Sequence, residues 1–377
     1  MKKILICIPS LTNGDGIANF FMNYYNYVCN DGYRIDFFCV SQDEYSEKYL
    51  KRIEENKSKV YILPNYGKIR KYIKIKKFIE DILKKEKYDL IHINYVDVLA
   101  YKCVIAAKKN NVPSVLHIHN PRMIPKNIKE IIYEFYNSRA VKYCNNIVAC
   151  SKNAAVSIKT NKKIQILYNK IDIEKFKFNI MERKNVRAKL NIKKDEKLIG
   201  IVARITEQKN PEFIINVANY ILKKNKKYKF VWIGNGNMEN YIQRKVKELK
   251  IENNFQFIDT TPQIEKYYGA MDLFFLPSLY EGFGYVFLEA QASGLNIILS
   301  DKVPSDVMIL KENIKKIYIE KYNIEKCADE ILKSNMKNEK ERIEDNLKMQ
   351  KCIYNIAIGT RDLTNYYNNI LNKGENV

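Results

Sequence analysis

The feature that most constrains this chain is an alternation. Short, continuously apolar runs follow longer amphipathic ones, and the cycle repeats along most of the sequence. In the first half KILICIP, YRIDFFCVS, KVYILPN, DLIHINY, SVLHIHN, NIVACS and KIQILYN read as strands. Between them GIANFFMNYYNYVCN, KIRKYIKIKKFIEDILKKEKY, VLAYKCVIAAKKNN and IKEIIYEFYNSRAVKYC carry helical spacing. Strands alternating with helices of this length imply βαβ units and a parallel sheet. A sheet covered on both faces explains why these strands are apolar throughout.

The rhythm breaks between Asn169 and Glu182 and then restarts. KLIGIVAR, KFVWIG, FQFID, LFFLPS, LNIILSD and IKKIYI read as strands; EFIINVANYILKKN, MENYIQRKVKELKI, IEKYYGAM and YVFLEAQASG read as helices, with further charged helices at the end. A chain of 377 residues suits two domains of ordinary size. The expected fold is therefore α/β with two doubly wound, Rossmann-like domains, over residues 1–170 and 171–352. Residues 353–377 form a last helix that can pack back on the first domain. Ligands of such sheets bind beyond the carboxyl ends of the strands, so the expected site is a cleft where the two domains face each other.

Composition narrows the class. Hydrophobic residues make up 46% and aromatics 12%, enough for sizeable cores and against disorder. Lys and Arg number 65 against 43 Asp and Glu, a net charge of +22. Such a surplus attracts polyanions or an anionic membrane face. The joint richness in Lys, Asn, Ile and Tyr is equally what AT-biased coding produces, with lysine as the ordinary solvated residue. Charge alone, without a nucleic-acid-binding module, predicts no nucleic-acid partner. The eight cysteines form no CxxC pair, and several sit in apolar runs, which predicts buried thiols and a reducing cytoplasm. The N-terminal MKKILICIPS reads as a first strand rather than a signal peptide, since its apolar run is short. No run approaches the ~20 apolar residues of a membrane span, so any membrane contact is expected to be peripheral.

Three loops carry candidate chemistry. In LPSLYEGFGYVFLEAQASG a strand ends at Pro277, a loop holds Glu281, Gly282, Phe283 and Gly284, and a helix starts near Tyr285 and ends at Gly294. Glycines admit close backbone approach, and a helix N-terminus offers N–H groups and partial positive charge to a diphosphate. Glu281 and Glu289 flank that seat and suit sugar hydroxyls; two isolated glutamates would more often be surface residues. In GIVARITEQKNPEF, Gly200, Arg204 and Lys209 lie between a strand end and a helix that opens at Asn210-Pro211, a spacing that suits phosphate capture but equally a solvated basic loop. IGNGNMEN places Gly234 and Gly236 at a third strand end.

Taken together these segments resemble the retaining GT-B glycosyltransferases of family GT4, of the bacterial capsule, exopolysaccharide and lipopolysaccharide-assembly type. The resemblance rests on E-x7-E as Glu281 to Glu289, the Arg204/Lys209 pair, IGNGNM, AMDLFFLPS and the turn ILYNKIDIEKF. It implies an acceptor-binding first domain and a nucleotide-sugar-binding second one. It implies that Glu281 with the Phe283-Gly284 backbone holds the donor sugar, Glu289 the ribose, and Arg204 and Lys209 the diphosphate. Gly234 and Tyr285 join this donor-binding set, and Arg204, Lys209, Glu281 and His119 form the catalytic one. Lys170 departs from the glycine usual in the interdomain turn.

The three histidines are His92, His117 and His119. His92 suits a core residue. His117 and His119 alternate on one strand and share a face; in similar GT4 proteins a histidine at this strand end contacts the donor sugar, which favours His119, with His117 as the alternative. In SLTNGDGIANF, Gly14-Asp15-Gly16 mimics a dinucleotide fingerprint, but Asn19 replaces the third glycine and Asp36 begins its strand. Gly16 is read instead as approaching acceptor and diphosphate. The basic helix from Lys68 to Lys85 suits either docking on anionic lipid or ordinary packing. No DxD-type metal pair stands at a strand end, so no cofactor or metal is expected. The expected activity is transfer of a hexose or N-acetylhexosamine from a nucleotide sugar, UDP by default, to a glycan or lipid-linked acceptor. The expected location is cytoplasmic, or peripheral on the inner membrane face. A GT-B nucleotide-sugar epimerase and a catalytically silent polyanion-binding scaffold are the alternatives.

Overall fold

The computed structural model describes residues 1–12, 15–41, 45–95, 98–119, 127–320 and 323–374. The chain forms two compact units, Met1–Lys170 with Ile356–Val377, and Ile171–Asn355.

The first unit contains β1 (Lys2–Ile8), α1 (Gly16–Asn30), β2 (Tyr33–Cys39), α2 (Glu47–Glu55), β3 (Val60–Ile62), α3 (Gly67–Lys85), β4 (Leu90–Ile93), α4 (Val98–Lys109), β5 (Ser114–Ile118), α5 (Ile128–Tyr143), β6 (Asn146–Ala149), α6 (Lys152–Val156) and β7 (Ile164–Ile166). The second contains α7 (Ile180–Lys189), β8 (Lys197–Val202), α8 (Pro211–Lys224), β9 (Tyr228–Ile233), α9 (Glu239–Glu248), β10 (Phe255–Ile258), α10 (Ile264–Ala270), β11 (Leu273–Leu276), α11 (Tyr285–Ala292), β12 (Asn296–Ser300), β13 (Ile314–Ile317), α12 (Ile324–Lys333) and α13 (Glu339–Met349). The last helix, α14 (Asp362–Gly374), returns to the first unit.

Both sheets are parallel. The first has the order β3-β2-β1-β4-β5-β6-β7 and the second β10-β9-β8-β11-β12-β13. Strand order reverses between β1 and β4 in one and between β8 and β11 in the other, which creates a crevice at the carboxyl edge of each sheet. Right-handed crossovers place α3, α4 and α5 on one face of the first sheet and α1 and α2 on the other. In accord, α4 packs between α3 and α5, and α14 packs against α1.

Three helices escape the sequence reading: α2, α6 and α7. The first buries only Ile53, the second has five residues, and the third, mostly polar, begins at the end of the junction stretch and runs on past it to Lys189. None has an apolar stripe long enough to declare a helical period. All eight cysteines are free thiols, and six are buried. Lys170 is itself buried and pairs with Asp362 of α14 at 3.2 Å, while its carbonyl accepts from Asn23 Nδ2 at 2.8 Å. A long cation therefore has a use here that a glycine could not supply.

Candidate active site

In the second unit the loops that leave β8 and β11 lie side by side at the strand-order reversal, and they are laced together. Leu279 N–H donates to the Gln208 carbonyl at 2.8 Å, and Gln208 Nε2 donates to the Tyr280 carbonyl at 2.9 Å. Lys209 Nζ meets Glu281 Oε1 at 2.6 Å, with both side chains largely withdrawn from solvent. Ser278 Oγ donates to the same Oε1 at 2.6 Å. Glu281 is thus aimed from two sides before any ligand arrives. Arg204 differs: it is exposed, and its guanidinium makes no ion pair among the described residues.

Gly284 is the N-cap of α11 at φ 90°, a conformation that favours glycine, and a Cβ there would lie 2.5 Å from the Phe287 ring. It contributes no side-chain cap, so the first turn of α11 keeps N–H groups for a ligand. Phe283 is buried, with its ring against Tyr285 at 5.4 Å and Tyr354 at 5.5 Å. Its side chain anchors the loop and leaves the backbone of Gly282 to Gly284 at the surface of the site. One turn on, Glu289 accepts from Tyr268 Oη at 2.9 Å. Burial pushes its carboxyl up to about 7, against the Tyr268 hydrogen bond and the nearby Lys175 ammonium, which hold it down.

The glycine-rich loop after β9 has a definite structural role. A Cβ on Gly234, at φ 127°, would lie 2.5 Å from the Ala203 carbonyl oxygen, and one on Gly236 would lie 2.4 Å from that of Ile205. The absent side chains let this loop press against the one that carries Arg204. Ile205 N–H donates to the Asn235 carbonyl, and the buried Trp232 donates to the Ala203 carbonyl at 2.8 Å. Gly200 likewise has a packing reason, because Met271 occupies the space of its missing Cβ.

In the first unit β5 ends at Ile118, so His119 lies one residue past its strand rather than last on it. It keeps the face shared with His117, their rings 3.9 Å apart. His119 Nε2 contacts Asn94 Oδ1 at 2.7 Å. The Asn94 amide is oriented by two donations from Nδ2, to the Cys7 and His92 carbonyls at 3.1 and 3.3 Å. Its oxygen therefore faces His119, which carries its proton on Nε2 and keeps Nδ1 as an acceptor. Burial lowers the His119 pKa to about 3, so the ring is neutral at physiological pH. His92 is the core residue expected, bonded to Tyr367 of α14 at 2.8 Å and to His117 at 3.2 Å.

Gly16 opens α1, but Asp15 Oδ1 accepts from Ile17 and Ala18 N–H at 2.9 and 2.8 Å. That helix end is partly spent on its own carboxylate. Gly14 lies outside the described residues. Asp36 sits mid-strand, not at a strand start, and is fully buried, with bonds from Arg34, Tyr88 and the Lys59 amide. No carboxylate is left there for a cofactor ribose. On α3, Ile75, Ile79, Ile82 and Leu83 are buried, so its apolar side packs inward.

Two family models cover most of the chain: "Glycosyltransferase Family 4" over residues 14–175 and "Glycosyl transferases group 1" over residues 182–350. The chain is a GT-B glycosyltransferase of family GT4. It is 25% identical over 314 residues to EpsF of Bacillus subtilis (strain 168), itself named a glycosyltransferase, with 81% of each chain covered. It is 28% identical over 243 residues to UDP-Gal:alpha-D-GlcNAc-diphosphoundecaprenol alpha-1,3-galactosyltransferase of Escherichia coli, covering 61% of this chain and 62% of that one. Among solved structures it superposes on Anabaena Alr3699/HepE, in complex with UDP and glucose, with a TM-score of 0.79 at 16% identity, covering 98% and 100% of the two chains. It also superposes on WaaG, a glycosyltransferase involved in lipopolysaccharide biosynthesis, with a TM-score of 0.73 at 14% identity, covering 96% and 99%.

The glycosyltransferase thus collects Arg204, Lys209, Glu281, Gly282, Phe283, Gly284, Tyr285 and Glu289 on one edge of its second sheet, while His119 and Gly16 belong to the first unit. Sequence reasoning missed the residues that hold these groups: Ser278, Gln208, Tyr268 and Asn94. Asn94 ends DLIHIN and Ser278 ends FLPS, so a strand-end polar residue was the available signal.

Proposed function

We propose that this glycosyltransferase moves a hexose or N-acetylhexosamine from a UDP-sugar to a glycan or lipid-linked acceptor in cell-surface polysaccharide synthesis, with retained anomeric configuration and without a metal ion. The observation that carries the donor half is the pair of laced loops at the β8/β11 reversal. It puts a guanidinium, an ammonium and an uncapped helix start on one sheet edge, next to an oriented carboxylate.

Arg204 forks onto phosphate oxygens and Lys209 adds a point charge. With the α11 dipole they stabilise the charge that grows on the departing nucleoside diphosphate, which is the main electrostatic demand of the reaction. Glu281 accepts from donor-sugar hydroxyls and Glu289 from the ribose. His119, neutral and fixed in tautomer, acts as a hydrogen-bonding group to the sugar rather than as an acid. Retention is read from the family, as same-face attack through an oxocarbenium-like transition state. The names of the Escherichia coli galactosyltransferase and of WaaG support a lipid-linked or lipopolysaccharide acceptor.

The test is thermal-shift screening against UDP-, GDP- and ADP-sugars, followed by product analysis with the stabilising donor. A ligand that binds the folded state alone raises the melting temperature. Transfer, or slow hydrolysis with release of UDP, supports the proposal. Interconversion of the sugar without release identifies an epimerase, and binding without turnover a silent scaffold.

A further inference from the structure

The first unit exposes an apolar stripe that its own core does not use. On α5, Ile128, Ile131, Ile132 and Phe135 are 76%, 58%, 47% and 53% exposed. Their spacing is i, i+3, i+4, i+7, one face of the first two turns. The helix is anchored elsewhere: Tyr136 and Tyr143 pack on Tyr101 of α4, and Ala140 and Val141 are buried. Four large side chains in a row on a helix already seated on its sheet form a patch that calls for a partner.

A basic stripe lies across α4 from it. On α3, Arg70, Lys74 and Lys77 are exposed and make no ion pair among the described residues, and Ile73 between them is 68% exposed. By contrast Lys76 and Lys109 are paired with Glu80. The α3 sequence holds eight Lys and Arg against two Asp and Glu. A further cation, Arg139, lies over the Phe135 ring at 4.9 Å. The acids of the first turns of α5, Glu130 and Glu134, accept locally from Asn127 and Ser138, and on α3 Glu80 is paired with Lys76 and Lys109.

The topology aligns the two stripes. Helices that connect parallel strands run back against them, so α3 and α5 are parallel to one another and both start at the carboxyl edge of the sheet. The apolar face of α5 and the cations of α3 therefore lie toward the same end of one helical layer, the end at which His119 leaves β5.

We propose that the N-terminal halves of α3 and α5 dock this enzyme on an anionic phospholipid bilayer, α5 inserting its Ile and Phe side chains at the acyl boundary and α3 binding headgroup phosphates. Apolar insertion beside a cationic stripe is the chemistry of an interfacial lipid-binding surface. A soluble protein partner would have to match both features, whereas a bilayer presents acyl chains and negative charge together. The inference rests on the lipid-linked-acceptor reading above and gives it a place on the fold. It also shifts the docking element: α3 supplies charge, but the insertion belongs to α5.

The full-length enzyme should co-sediment with vesicles of phosphatidylglycerol and phosphatidylcholine in a 3:7 ratio, and at least tenfold less with pure phosphatidylcholine. Ile131→Ser with Phe135→Ser, and separately Lys74→Glu with Lys77→Glu, should each weaken binding at least tenfold. Both pairs are exposed, so the melting temperature and the shift produced by UDP-sugar should stay at wild-type values. Absence of binding to the mixed vesicles, or binding indifferent to both pairs, overturns the proposal. So does a concentration-dependent dimer that only the α5 pair abolishes, which would make the stripe a contact between copies. Donor turnover without vesicle binding sinks the docking surface alone, whereas vesicle binding without any response to a nucleotide sugar sinks the enzymatic reading alone.

Discussion

Lys209 Nζ and Glu281 Oε1 are 2.6 Å apart although 72 residues separate them in sequence. The pair joins the loop that follows β8 to the loop that follows β11, and it fixes two opposite charges at the strand-order reversal. Such a pair acts as a unit, so single removals should cost nearly as much as joint removal. Lys209→Ala and Glu281→Gln should each lower kcat/KM by about 10²–10³, the scale of losing one preorganised electrostatic group. The double variant should fall well short of the product of the two. Steady-state kinetics on the four proteins decides this, and strict multiplicativity would refute the coupling.

Arg204 is expected to behave differently. It is exposed and makes no ion pair among the described residues, so Arg204→Ala should leave the melting temperature of the free enzyme within about 1 °C, since isolated surface changes cost little. Its effect should appear only when donor is added, as a smaller thermal shift and a loss in kcat/KM. An unliganded protein that unfolds several degrees earlier would assign Arg204 a structural role instead.

Glu289 predicts a pH dependence. Its carboxyl is pushed up to about 7 by burial, and in the proposed ribose-binding role the carboxylate is the stronger acceptor for two hydroxyls. Donor affinity should therefore rise as pH increases through about 7. Stability moves the opposite way. The folded state binds the proton more tightly than the unfolded chain, so this contribution is present at low pH and is lost between the unfolded carboxyl value, about 4.5, and about 7. Glu289→Gln should flatten the affinity profile and remove that decline in stability. Titration of donor binding at pH 5.5, 7 and 8.5 measures the first, and chemical denaturation at the same values the second.

Asn94 and His119 predict a spectroscopic signature. The ring should be neutral with its proton on Nε2 across pH 5 to 8, because burial holds its pKa at about 3 and Asn94 Oδ1 accepts at 2.7 Å. Nitrogen-15 chemical shifts of labelled histidine read the tautomer directly. Asn94→Leu should populate the other tautomer and lower kcat more than it raises KM, beyond the ~1 kcal/mol of stability that a lost buried hydrogen bond costs. A His119 signal that titrates near 6.5 would refute the assignment.

Gly234→Ala tests the packing of the Arg204 loop. The φ of 127° and the 2.5 Å approach to the Ala203 carbonyl leave no room for a methyl group. Backbone strain alone should cost about 1–3 kcal/mol. Trp232, the one tryptophan of the chain, donates to that same carbonyl, so its fluorescence should report the displaced loop without any substrate.

The two sheets were legible because a buried parallel strand leaves an unmistakable apolar run, and the helices with a long apolar face declared themselves by period. The polar helices α2, α6 and α7 did not, since short helices are held by tertiary packing rather than by their own pattern. Arg204, Lys209 and Glu281, which follow strand ends, and Glu289, which lies in the helix beyond them, could be picked out together by the E-x7-E spacing and the Arg/Lys pair, through the resemblance to GT4. What they do to each other could not. The Lys209–Glu281 pair, the Tyr268 hydroxyl on Glu289 and the Asn94 lock on His119 join residues 72, 21 and 25 positions apart.

The sequence by itself determined the strand and helix alternation, the burial of the central strands of both sheets and the chemical repertoire at the carboxyl edges, because these follow from local pattern and residue type. Only the tertiary structure decided that Gly234 packs a neighbouring loop, that Asp36 is spent inside the first sheet, and that α5 rather than α3 carries the exposed apolar face. Each of these depends on which atoms from distant segments occupy the same few ångströms, and no local pattern encodes that.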